Sequence, residues 1–586
     1  MTTTLRLPAE PAGLTLPDLL LRNADDHPGL PALSWREGTG WSTLTWRDVR
    51  RKTAVLAAAY TALGVVRGER VLLMMGNRPE HWLTDLALVH IGAVPVTVYG
   101  TASAEQVAHI ARHSRARFAV VEGAREAALF APLVEKQVVV EAAEAGPHRT
   151  YGSLHATGAR LYDGEAFEKA RREVRADDVL TVLYTSGTTG EPKAVPITHR
   201  MVVANALALD RAVDLPEHVQ HVCYLPFAHI AERMLGIYLP VFRASHVRLC
   251  ADPAVVAEAV RELRPVQFFG VPRVWEKLTA SVRAALELLP PERREAVAAA
   301  GETAREHVAH RERGEAPPPG LDAEYRRVKE RVIDPLLALA GFDRLVWTAS
   351  AAAPMPIEVV RFWAGFGIVI MDAWGLTETT GVCTANSLTS GFRLGSVGRP
   401  LDGIEVRTAE DGEVLVRGET VFSGYAGADG RVEPVLDAEG WFATGDVGRV
   451  DEDGFLWVTD RKKELIVTST GKNVSPALVE NTLKEHPLIG QAFVHGDGRS
   501  YLVALLVLDP EAAARGAGPD ALRDEVGRAV AAANARLNRT ERVKRWRVLG
   551  DEWTPESGEL TPSLKLRRRV IAERYAAQLA ELYGER

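Results

Sequence analysis

Cysteine is scarce in this chain, and long apolar runs are missing from it. Cys223, Cys250 and Cys383 are the only three cysteines in 586 residues. They are widely spaced and form no CxxC pair, so the sequence offers no disulfide framework and suits a reducing cytoplasm. Because no stretch of about 18 apolar residues occurs, a membrane-spanning helix is not expected.

Signal-peptide features and an excess of positive charge are missing as well. Residues 1–17 contain one early arginine and no long apolar run, unlike a secretory signal. The formal net charge of −7 gives no indication of nucleic-acid binding. We therefore expect a cytoplasmic protein. Basic residues in 311–331 and 567–573 leave peripheral contact with the inner membrane face open, and nothing indicates an oligomeric state.

Length and patterning predict an α/β protein with more than one domain. A chain of 586 residues exceeds what one core supports. Short apolar runs such as 70–75, 93–99 and 118–122 alternate with helical patterns, which is typical of βαβ units around a parallel sheet. We expect a large N-terminal domain, 1–460, with βαβ layers and a β-rich subdomain, and a small α+β domain, 461–586. A solvated helical excursion is expected at about 281–335.

A loop rich in hydroxyls and glycines is the most informative segment. It follows a short β-run, 179–184, and Gly187 and Gly190 let its backbone turn sharply and approach a ligand. Lys193 adds a positive charge. The hydroxyl donors are Thr185, Ser186, Thr188 and Thr189. Together these groups predict a cradle for a polyphosphate.

This loop does not follow the common P-loop pattern. That pattern ends in Gly-Lys-Ser/Thr, whereas here Lys193 is followed by Ala194. An ordinary P-loop NTPase is therefore not expected. A flexible surface loop is the alternative, but the strand that enters the loop and the Pro-Lys pair that leaves it favour phosphate binding.

The segment 184–193 resembles the phosphate loop of the adenylate-forming (AMP-binding) superfamily, which includes acyl-CoA synthetases, luciferases and peptide-synthetase adenylation domains. Further matches follow in the family's order over nearly the whole chain. Three segments, 76–80, 225–233 and 270–277, most resemble long-chain fatty acyl-CoA synthetases. The family usually has glycine where this chain has Ala194.

The resemblance implies the nucleotide site. The segment 373–379 resembles the Tyr-Gly-Leu/Met-Thr-Glu motif and follows an expected strand at 368–371. Trp374 would cover the adenine, Thr377 would touch the α-phosphate, and Glu378, with Thr185, would hold Mg²⁺. Asp446 would accept the ribose hydroxyls, assisted by Arg461. The other nucleotide-binding positions are Ala351, Ala352, Ala373 and Gly375.

Three of these positions depart from the family pattern. Trp374 replaces tyrosine, which keeps a stacking face but changes the polar group. Ala351 and Ala352 stand where glycines are usual, and their methyl groups could crowd the nucleotide or the acyl entrance.

The resemblance also implies the catalytic and mobile parts. Lys565 would drive adenylation, Lys193 would hold the pyrophosphate, and His229 would border the substrate carboxylate. Lys463 would be the hinge about which a mobile C-terminal domain turns. The CoA side would be Gly471, Lys472 and Asn473, near Glu480; the acyl pocket would be lined by Val222, Phe227, Phe268, Phe269 and Trp275.

These features together predict an ATP-dependent acid–thiol ligase. A fatty acid, long-chain by subfamily resemblance, would form an acyl-adenylate and then pass to CoA, with ATP and CoA as substrates and Mg²⁺ as the metal. Two alternatives stay open. One is an acyl-AMP ligase that loads a carrier-protein thiol; the other is a nucleotide-binding pseudoenzyme, suggested by Ala194, Ala351, Ala352 and Trp374.

Overall fold

The computed structural model describes residues 13–185, 191–514, 518–554, 557–561 and 565–584. The chain begins with helix α1 (Leu16–Asp26), whose first turn is fixed by a capping box between Thr15 and Asp18. The hairpin of strands β1 (Pro31–Glu37) and β2 (Gly40–Thr45) follows.

A five-stranded parallel sheet forms the first layer. Its strands in spatial order are β4 (Val94–Thr97), β3 (Arg70–Met74), β5 (Phe118–Val121), β6 (Lys136–Val139) and β7 (Arg149–Thr150). The helices of this layer are α2 (Trp46–Leu63), α3 (Pro79–His90), α4 (Ala104–Ser114), α5 (Ala124–Phe130), α6 (Tyr151–Leu161) and α7 (Gly164–Glu173). Leu72 and Leu73 are buried in different clusters on the two faces, as a covered parallel sheet requires. The predicted βαβ architecture is confirmed.

Two four-stranded sheets continue the large unit. One runs β10 (Gln220–Cys223), β11 (His246–Leu249), β1, β2; the other runs β20 (Val432–Pro434), β19 (Gly424–Ala426), β9 (Lys193–Thr198), β8 (Val179–Thr185). The helices between them are α8 (His199–Ala212), α9 (Ile230–Arg233), α10 (Leu239–Arg243) and α11 (Val256–Leu263). Strand β19 therefore reaches β9 from more than 200 residues away in sequence.

A second five-stranded sheet carries the Trp374 segment. Its order is β12 (Gln267–Phe269), β13 (Trp347–Ser350), β14 (Met371–Leu376), β15 (Gly381–Ala385) and β16 (Arg399–Pro400), the first three parallel. The expected strand at 368–371 is wrong in its bounds. Pairing with β13 begins at Met371, so Trp374 lies inside β14 and only Thr377 and Glu378 follow at its carboxyl end.

The helical excursion is longer and less solvated than predicted. It comprises α12 (Pro272–Glu287), α13 (Pro291–Glu312), α14 (Pro319–Val328) and α15 (Asp334–Ala340), with α16 (Ile357–Ala364) packed beside it. Ala300, Ala304 and Val308 of α13 are buried in the core. Most other residues of α13 and α14 are exposed or half-buried, as expected; the exception is this stripe of small residues, which recurs at helical spacing in a mainly charged sequence.

The β-rich and C-terminal parts follow the predicted order. An antiparallel sheet contains β17 (Ile404–Thr408), β18 (Glu413–Gly418), β21 (Phe442–Val450) and β22 (Leu456–Arg461). The C-terminal strands are β23 (Ile466–Val467), β24 (Asn473–Val474), β25 (Ile489–His495), β26 (Leu502–Leu508) and β27 (Val543–Leu549). The C-terminal helices are α17 (Pro476–Lys484), α18 (Pro510–Ala514), α19 (Pro519–Arg536), α20 (Arg568–Arg574) and α21 (Ala576–Tyr583). The domain division at residue 460 remains a prediction.

Within the described ranges, each helix is too short or too polar to cross a bilayer.

The turn after β13 is strained at Ala352. Its φ is +79°, in the left-handed region that a Cβ disfavours by about 1–2 kcal/mol. Ala351 and Ala352 are half-buried, whereas the next residue, Ala353, is exposed and has no positive φ. The methyl group of Ala352 therefore costs backbone strain at a position where glycine would be relaxed.

We predict that Ala352→Gly stabilises the protein. Relief of the left-handed strain exceeds the added flexibility of glycine in the unfolded chain, which costs about 0.5–1 kcal/mol. The thermal unfolding midpoint should rise in Ala352→Gly and fall in the matched control Ala353→Gly, which gains flexibility without relieving strain. A lower midpoint in both variants would show that Ala352 is not strained.

A buried ion pair between Arg233 and Asp85 joins the helical loop 225–233 to α3. Both side chains are fully buried, and Arg233 also donates to Tyr238 Oη at 2.9 Å and to Thr97 Oγ1 at 2.7 Å. Burial raises the pKa of Asp85, and the guanidinium opposes that rise. Because the charges satisfy each other inside the core, each is costly to leave alone.

Removing Arg233 alone should destabilise the fold strongly. We expect Arg233→Met to cost about 3–5 kcal/mol in urea unfolding, because the Asp85 carboxylate is left buried without a countercharge. Adding Asp85→Leu should recover much of that loss. The exposed Arg417–Glu405 pair supplies the control, since solvent already screens it and Arg417→Met should change stability little. Equal losses in the single and double variants would contradict the prediction.

Candidate active site

The predicted phosphate loop begins and ends in a β-hairpin. Thr185, the last residue of β8, is paired with Lys193, the first residue of β9. Ser186, Gly187, Thr188, Thr189 and Gly190 lie outside the described residues. Near the end of the loop, the Pro192 carbonyl lies 3.1 Å from His109 Nε2, which therefore carries the proton and donates. Helix α4 thus holds the segment that leads into Lys193.

Ala194 occupies an ordinary strand position. It pairs with Tyr184 on one side and with Ala426 on the other, and its methyl group is buried in a hydrophobic cluster with both. A glycine here would leave that space empty. The departure from the family pattern is therefore accommodated by packing and does not disturb Lys193.

Lys193, Tyr425 and Glu378 form a connected polar group on the phosphate side. Lys193 Nζ lies 4.5 Å from the centroid of the Tyr425 ring, a cation–π contact, and Tyr425 Oη donates to Glu378 Oε1 at 2.9 Å. Burial and the Glu378 carboxylate raise the pKa of Tyr425, so its hydroxyl remains a donor. The backbone also helps, since Phe422 N–H donates to the Glu378 carbonyl at 2.8 Å.

Asp446 is held from both sides by residues of other strands. The Trp374 indole Nε1 donates to Asp446 Oδ2 at 2.8 Å, and Arg461 Nε lies 2.7 Å from Oδ1. Trp374 and Asp446 are 8% and 5% exposed. Burial raises the pKa of Asp446, and Arg461, the Trp374 hydrogen bond and Lys565 act against that rise.

The rest of the 373–379 segment is shaped by close backbone contact. A Cβ on Gly375 would lie 1.8 Å from the Gly381 carbonyl oxygen of β15, so only glycine fits there. Ala373 is buried opposite Ala385. Thr377 begins a 3-10 turn and is half-buried. Close backbone packing thus explains why residue 375 is glycine. Nucleotide-binding roles stay predictions for Ala351, Ala352, Ala373, Gly375 and Thr377.

His229 caps helix α9 and is electrically neutral. Its Nδ1 accepts the Ala231 backbone N–H at 3.2 Å, which leaves the proton on Nε2. Burial, and then the nearby Lys565 ammonium, lower the pKa of His229 to about 4. At neutral pH the side chain is therefore a hydrogen-bond donor through Nε2 and cannot supply a positive charge.

Lys565 and Thr561 are the described residues on either side of what we call the Lys565 turn, whose residues 562–564 lie outside the described ranges. Thr561 and Lys565 exchange hydrogen bonds, from Thr561 N–H to the Lys565 carbonyl at 2.7 Å and from Lys565 N–H to Thr561 Oγ1 at 3.0 Å. The pKa of Lys565 is lowered by desolvation and by Arg461, while Asp446, Glu464 and Glu378 oppose the shift. Carboxylates expected on both the ribose and the phosphate sides therefore act electrostatically on this lysine.

The segment that follows Lys565 is anchored inside the C-terminal part. Arg568 makes hydrogen bonds of 2.8 and 2.6 Å to the buried Glu480, which also accepts the Val494 backbone N–H, and pairs with Glu464. Glu480 is therefore a structural anchor for the Lys565 turn. Glu480 was expected near the CoA-side loop. Its hydrogen bonds instead join it to Arg568 and to the Val494 backbone.

The expected hinge and CoA-side residues are exposed. Lys463 lies in the turn directly after β22, and its neighbour Lys462 is tied to Asp411 and Glu413 at 2.6 and 2.7 Å. Gly471 and Lys472 lie between β23 and β24, and Asn473 is the first residue of β24. Their exposure is compatible with the expected roles, which stay predictions.

The residues expected to line one acyl pocket are divided among three core clusters. Phe268, Trp275 and Val222 pack together, Phe227 packs in the central cluster against His81, and Phe269 lies in a third. One shared lining is therefore not formed. Sequence position alone failed here because Phe268 and Phe269 are adjacent in β12 and point to opposite faces of the sheet.

Phe269 is the one of these residues that faces the reaction side. Its cluster contains Ala349 and Met371, and it is bordered by Ala231 of α9 and by Ala351. Ala231 is two residues from His229, so this face of the sheet begins beside the expected carboxylate position.

Sequence reasoning missed Tyr425 and Glu464. Tyr425 reaches Glu378 and Lys193 through the pairing of β19 with β9, which no local pattern reveals. Glu464 stands beside the expected hinge and acts on Lys565 and Arg568. The charge run 460–464 was the only sequence signal for it.

The acidic side chains of this site are compatible with a Mg²⁺ ion that is bound together with a nucleotide. Among the described residues, no three His, Cys, Asp or Glu side chains form a metal-binding group. Glu378 offers a single held carboxylate near Lys193. Mg²⁺ commonly binds through one or two carboxylates with substrate phosphates and water, so a lone carboxylate is compatible with it.

Comparison with known proteins places this site in a family. The family model described as AMP-binding enzyme matches residues 20–426, and the AMP-binding enzyme C-terminal domain matches residues 463–586. The chain is similar to the putative fatty-acid–CoA ligase fadD11 of Mycobacterium tuberculosis, with 41% identity over 71% of this chain and 76% of the relative. It is 34% identical to the long-chain-fatty-acid–CoA ligase FadD15 of the same organism over 93% of each chain.

A solved structure shows the same fold. The o-succinylbenzoate coenzyme A synthetase MenE of Bacillus subtilis, in complex with ATP and magnesium ion, matches with a TM-score of 0.68 and 20% identity. The match covers 94% of this chain and 98% of that chain. Since the family models together span most of the sequence, the chain belongs to the AMP-binding enzyme family.

Proposed function

We infer that this protein is an AMP-forming fatty acid–CoA ligase. It activates the acid with ATP as an acyl-adenylate and then transfers the acyl group to the thiol of CoA. Support comes from family membership, from the similarity to proteins named fatty-acid–CoA ligases, and from one observation above the others. That observation is the electrostatic coupling of Lys565 to Asp446, Glu378 and His229, the residues expected at the ribose, phosphate and carboxylate positions.

The first half-reaction joins the acid to AMP. A carboxylate oxygen of the acid bonds to the α-phosphorus of ATP, and the bond from that phosphorus to the β-phosphate oxygen breaks, releasing pyrophosphate. Lys193 attracts the departing phosphates, and Asp446 with Arg461 holds the ribose. Lys565 balances the charge that grows between carboxylate and α-phosphate, so positioning and electrostatics carry the catalysis.

Magnesium would be held by Glu378, with the Thr185 hydroxyl as a second contact. When bound, it would neutralise the negative charge of the substrate phosphates. Glu378 is prepared for this role because the Tyr425 hydroxyl donates to one of its oxygens and holds the carboxylate in place.

The acid is placed by His229 and by the face of the sheet that carries Phe269. The Nε2 proton of His229 can donate to a carboxylate oxygen, while the alkyl chain lies along the cluster of Phe269, Ala349 and Met371. These apolar side chains favour a fatty acid over a polar one. We propose a long-chain acid, following the name of the relative that matches over 93% of both chains.

In the second half-reaction the CoA sulfur bonds to the acyl carbon, the bond from that carbon to the AMP phosphate oxygen breaks, and the thiol proton is released. We propose that the C-terminal elements turn about Lys463 between the two steps. Lys565 then leaves the site, and the turn at 471–473 approaches it. The exposure of both segments supports this movement.

ATP–pyrophosphate exchange tests the first half-reaction. Exchange should depend on an added fatty acid and peak at long chains across a panel from acetate to stearate. Lys565→Ala should reduce it about 10²–10³-fold, because a preorganised cation is lost. Lys544→Ala, an exposed lysine of β27, is the matched control. CoA should release AMP; exchange without that effect would favour a carrier-protein acceptor, and no exchange with any acid would favour a pseudoenzyme.

Ion pairs between the C-terminal elements and the helical excursion should favour the first half-reaction. Arg273 of α12 contacts Asp509 at 3.2 Å, and Glu276 lies 3.9 Å from Lys484 of α17. These side chains are partly exposed, so the contacts bias an arrangement without locking it. The arrangement they hold is the one in which Lys565 faces Asp446.

Arg273→Glu should therefore slow exchange by about 2- to 5-fold, the effect expected for a partly exposed pair. CoA transfer from a supplied acyl-adenylate should not fall. The charge swap Arg273→Asp with Asp509→Arg should restore exchange, and high salt should lower the exchange of the unaltered protein. An equal loss in both half-reactions would refute the proposed bias.

A further inference from the structure

We propose that Trp374 is a positioning residue for the ribose: its indole N–H fixes the Asp446 carboxylate in the orientation that binds the two ribose hydroxyls. This deepens the proposed function and rests on it, because it takes Asp446 as the ribose acceptor. Trp374 was expected only to cover the adenine. The hydrogen bond from Nε1 to Oδ2, 2.8 Å long, gives it a second task.

Each oxygen of the Asp446 carboxylate has one protein partner. Nε1 of Trp374 takes one acceptor position on Oδ2, and Nε of Arg461 takes one on Oδ1. An ionised carboxylate has about four acceptor positions, so each oxygen keeps one for a ligand. Two neighbouring hydroxyls of a ribose need one acceptor position on each oxygen. The protein thus prepares the carboxylate for a diol.

The donors come from different strands, which makes the arrangement rigid. Trp374 lies in β14 of one sheet, whereas Asp446 and Arg461 are paired with each other in β21 and β22 of another. The carboxylate cannot rotate without breaking either the buried Trp374 hydrogen bond or the Arg461 ion pair. Rotation that is removed before binding does not have to be removed by the ligand, so affinity is gained.

Tryptophan is suited to this task in a way that other aromatic residues are not. The indole Nε1–H can only donate a hydrogen bond, so it always favours the ionised carboxylate. This N–H group lies on the side of the ring system. Phenylalanine has no donor, and the hydroxyl of tyrosine lies at the tip of its ring. The replacement of the family's usual tyrosine is therefore matched to the position of Asp446.

The charges around Asp446 provide a readout that packing alone would not change. Arg461 and Lys565 are the cations that act on it, Asp460 is the anion, and the Cys383 thiol lies nearby. Burial raises the pKa of Asp446, and the Trp374 hydrogen bond counters the rise. Loss of that bond leaves the pKa higher, so ATP binding should weaken at a higher pH than in the unaltered protein.

Nucleotide binding, measured without any acid substrate, is the test. Equilibrium titrations with ATP, 2′-deoxy-ATP and 3′-deoxy-ATP give the contribution of each hydroxyl in the unaltered protein and in Trp374→Phe. Phenylalanine keeps a flat ring for stacking but removes the donor. We expect ATP affinity to fall about 10-fold, the loss of one hydrogen bond to a charged group. The preference for ATP over the deoxy nucleotides should shrink, and the acid limb of binding should move to higher pH.

A double-variant cycle separates positioning from stacking and from misfolding. In an Asp446→Ala background, Trp374→Phe should change ATP affinity little if it acts through the carboxylate. An equal loss in both backgrounds would assign Trp374 to stacking alone and overturn the proposal. AMP binding by Trp374→Phe at high concentration confirms that the site is folded. If the unaltered protein binds ATP and its deoxy analogues equally, the ribose assignment of Asp446 fails, independently of whether the protein activates fatty acids.

Discussion

A buried carboxylate, that of Asp446, is the constraint around which the site is arranged. A charge in this position is costly unless it is hydrogen-bonded, and Trp374 and Arg461 meet that requirement from two directions. Because Asp446 and Arg461 belong to β21 and β22, the Trp374 hydrogen bond ties β14 to their antiparallel sheet. This tie fixes the relative position of the two sheets where we propose that the ribose binds.

Local motifs were predictable from the sequence, whereas contacts made by strand register were not. Lys193, Glu378 and Asp446 stand in continuous segments whose resemblance is readable residue by residue. Tyr425 is linked to Lys193 only because Ala426 pairs with Ala194. The bounds of β14 were missed for a related reason: the apolar residues 368–370 look like a strand, yet pairing with β13 starts at Met371. The five acyl-pocket residues were separated because adjacent residues of a strand face opposite ways.

The alanines that replace family glycines have opposite physical consequences. At Ala194 the backbone is that of a strand, and the methyl group fills a buried cluster between Tyr184 and Ala426. At Ala352 the backbone has φ of +79°, so the same methyl group is strained. In the sequence, both positions show the same change from glycine to alanine. The backbone conformation decides whether the added methyl group improves packing or strains the backbone. Neither alanine removes a charged group from the site.

The contacts of the Lys565 turn form a hierarchy that suits a unit moving as one body. Within the C-terminal part, Arg568 is bound to the buried Glu480 by two short hydrogen bonds, and Thr561 closes the turn. Toward the rest of the protein, the pairs of Arg273 with Asp509 and Glu276 with Lys484 are longer and partly exposed. The proposed withdrawal of Lys565 would break these longer pairs and keep the internal contacts of its turn. A lysine fixed to the large domain could not be withdrawn in this way, because its removal would require breaking buried contacts.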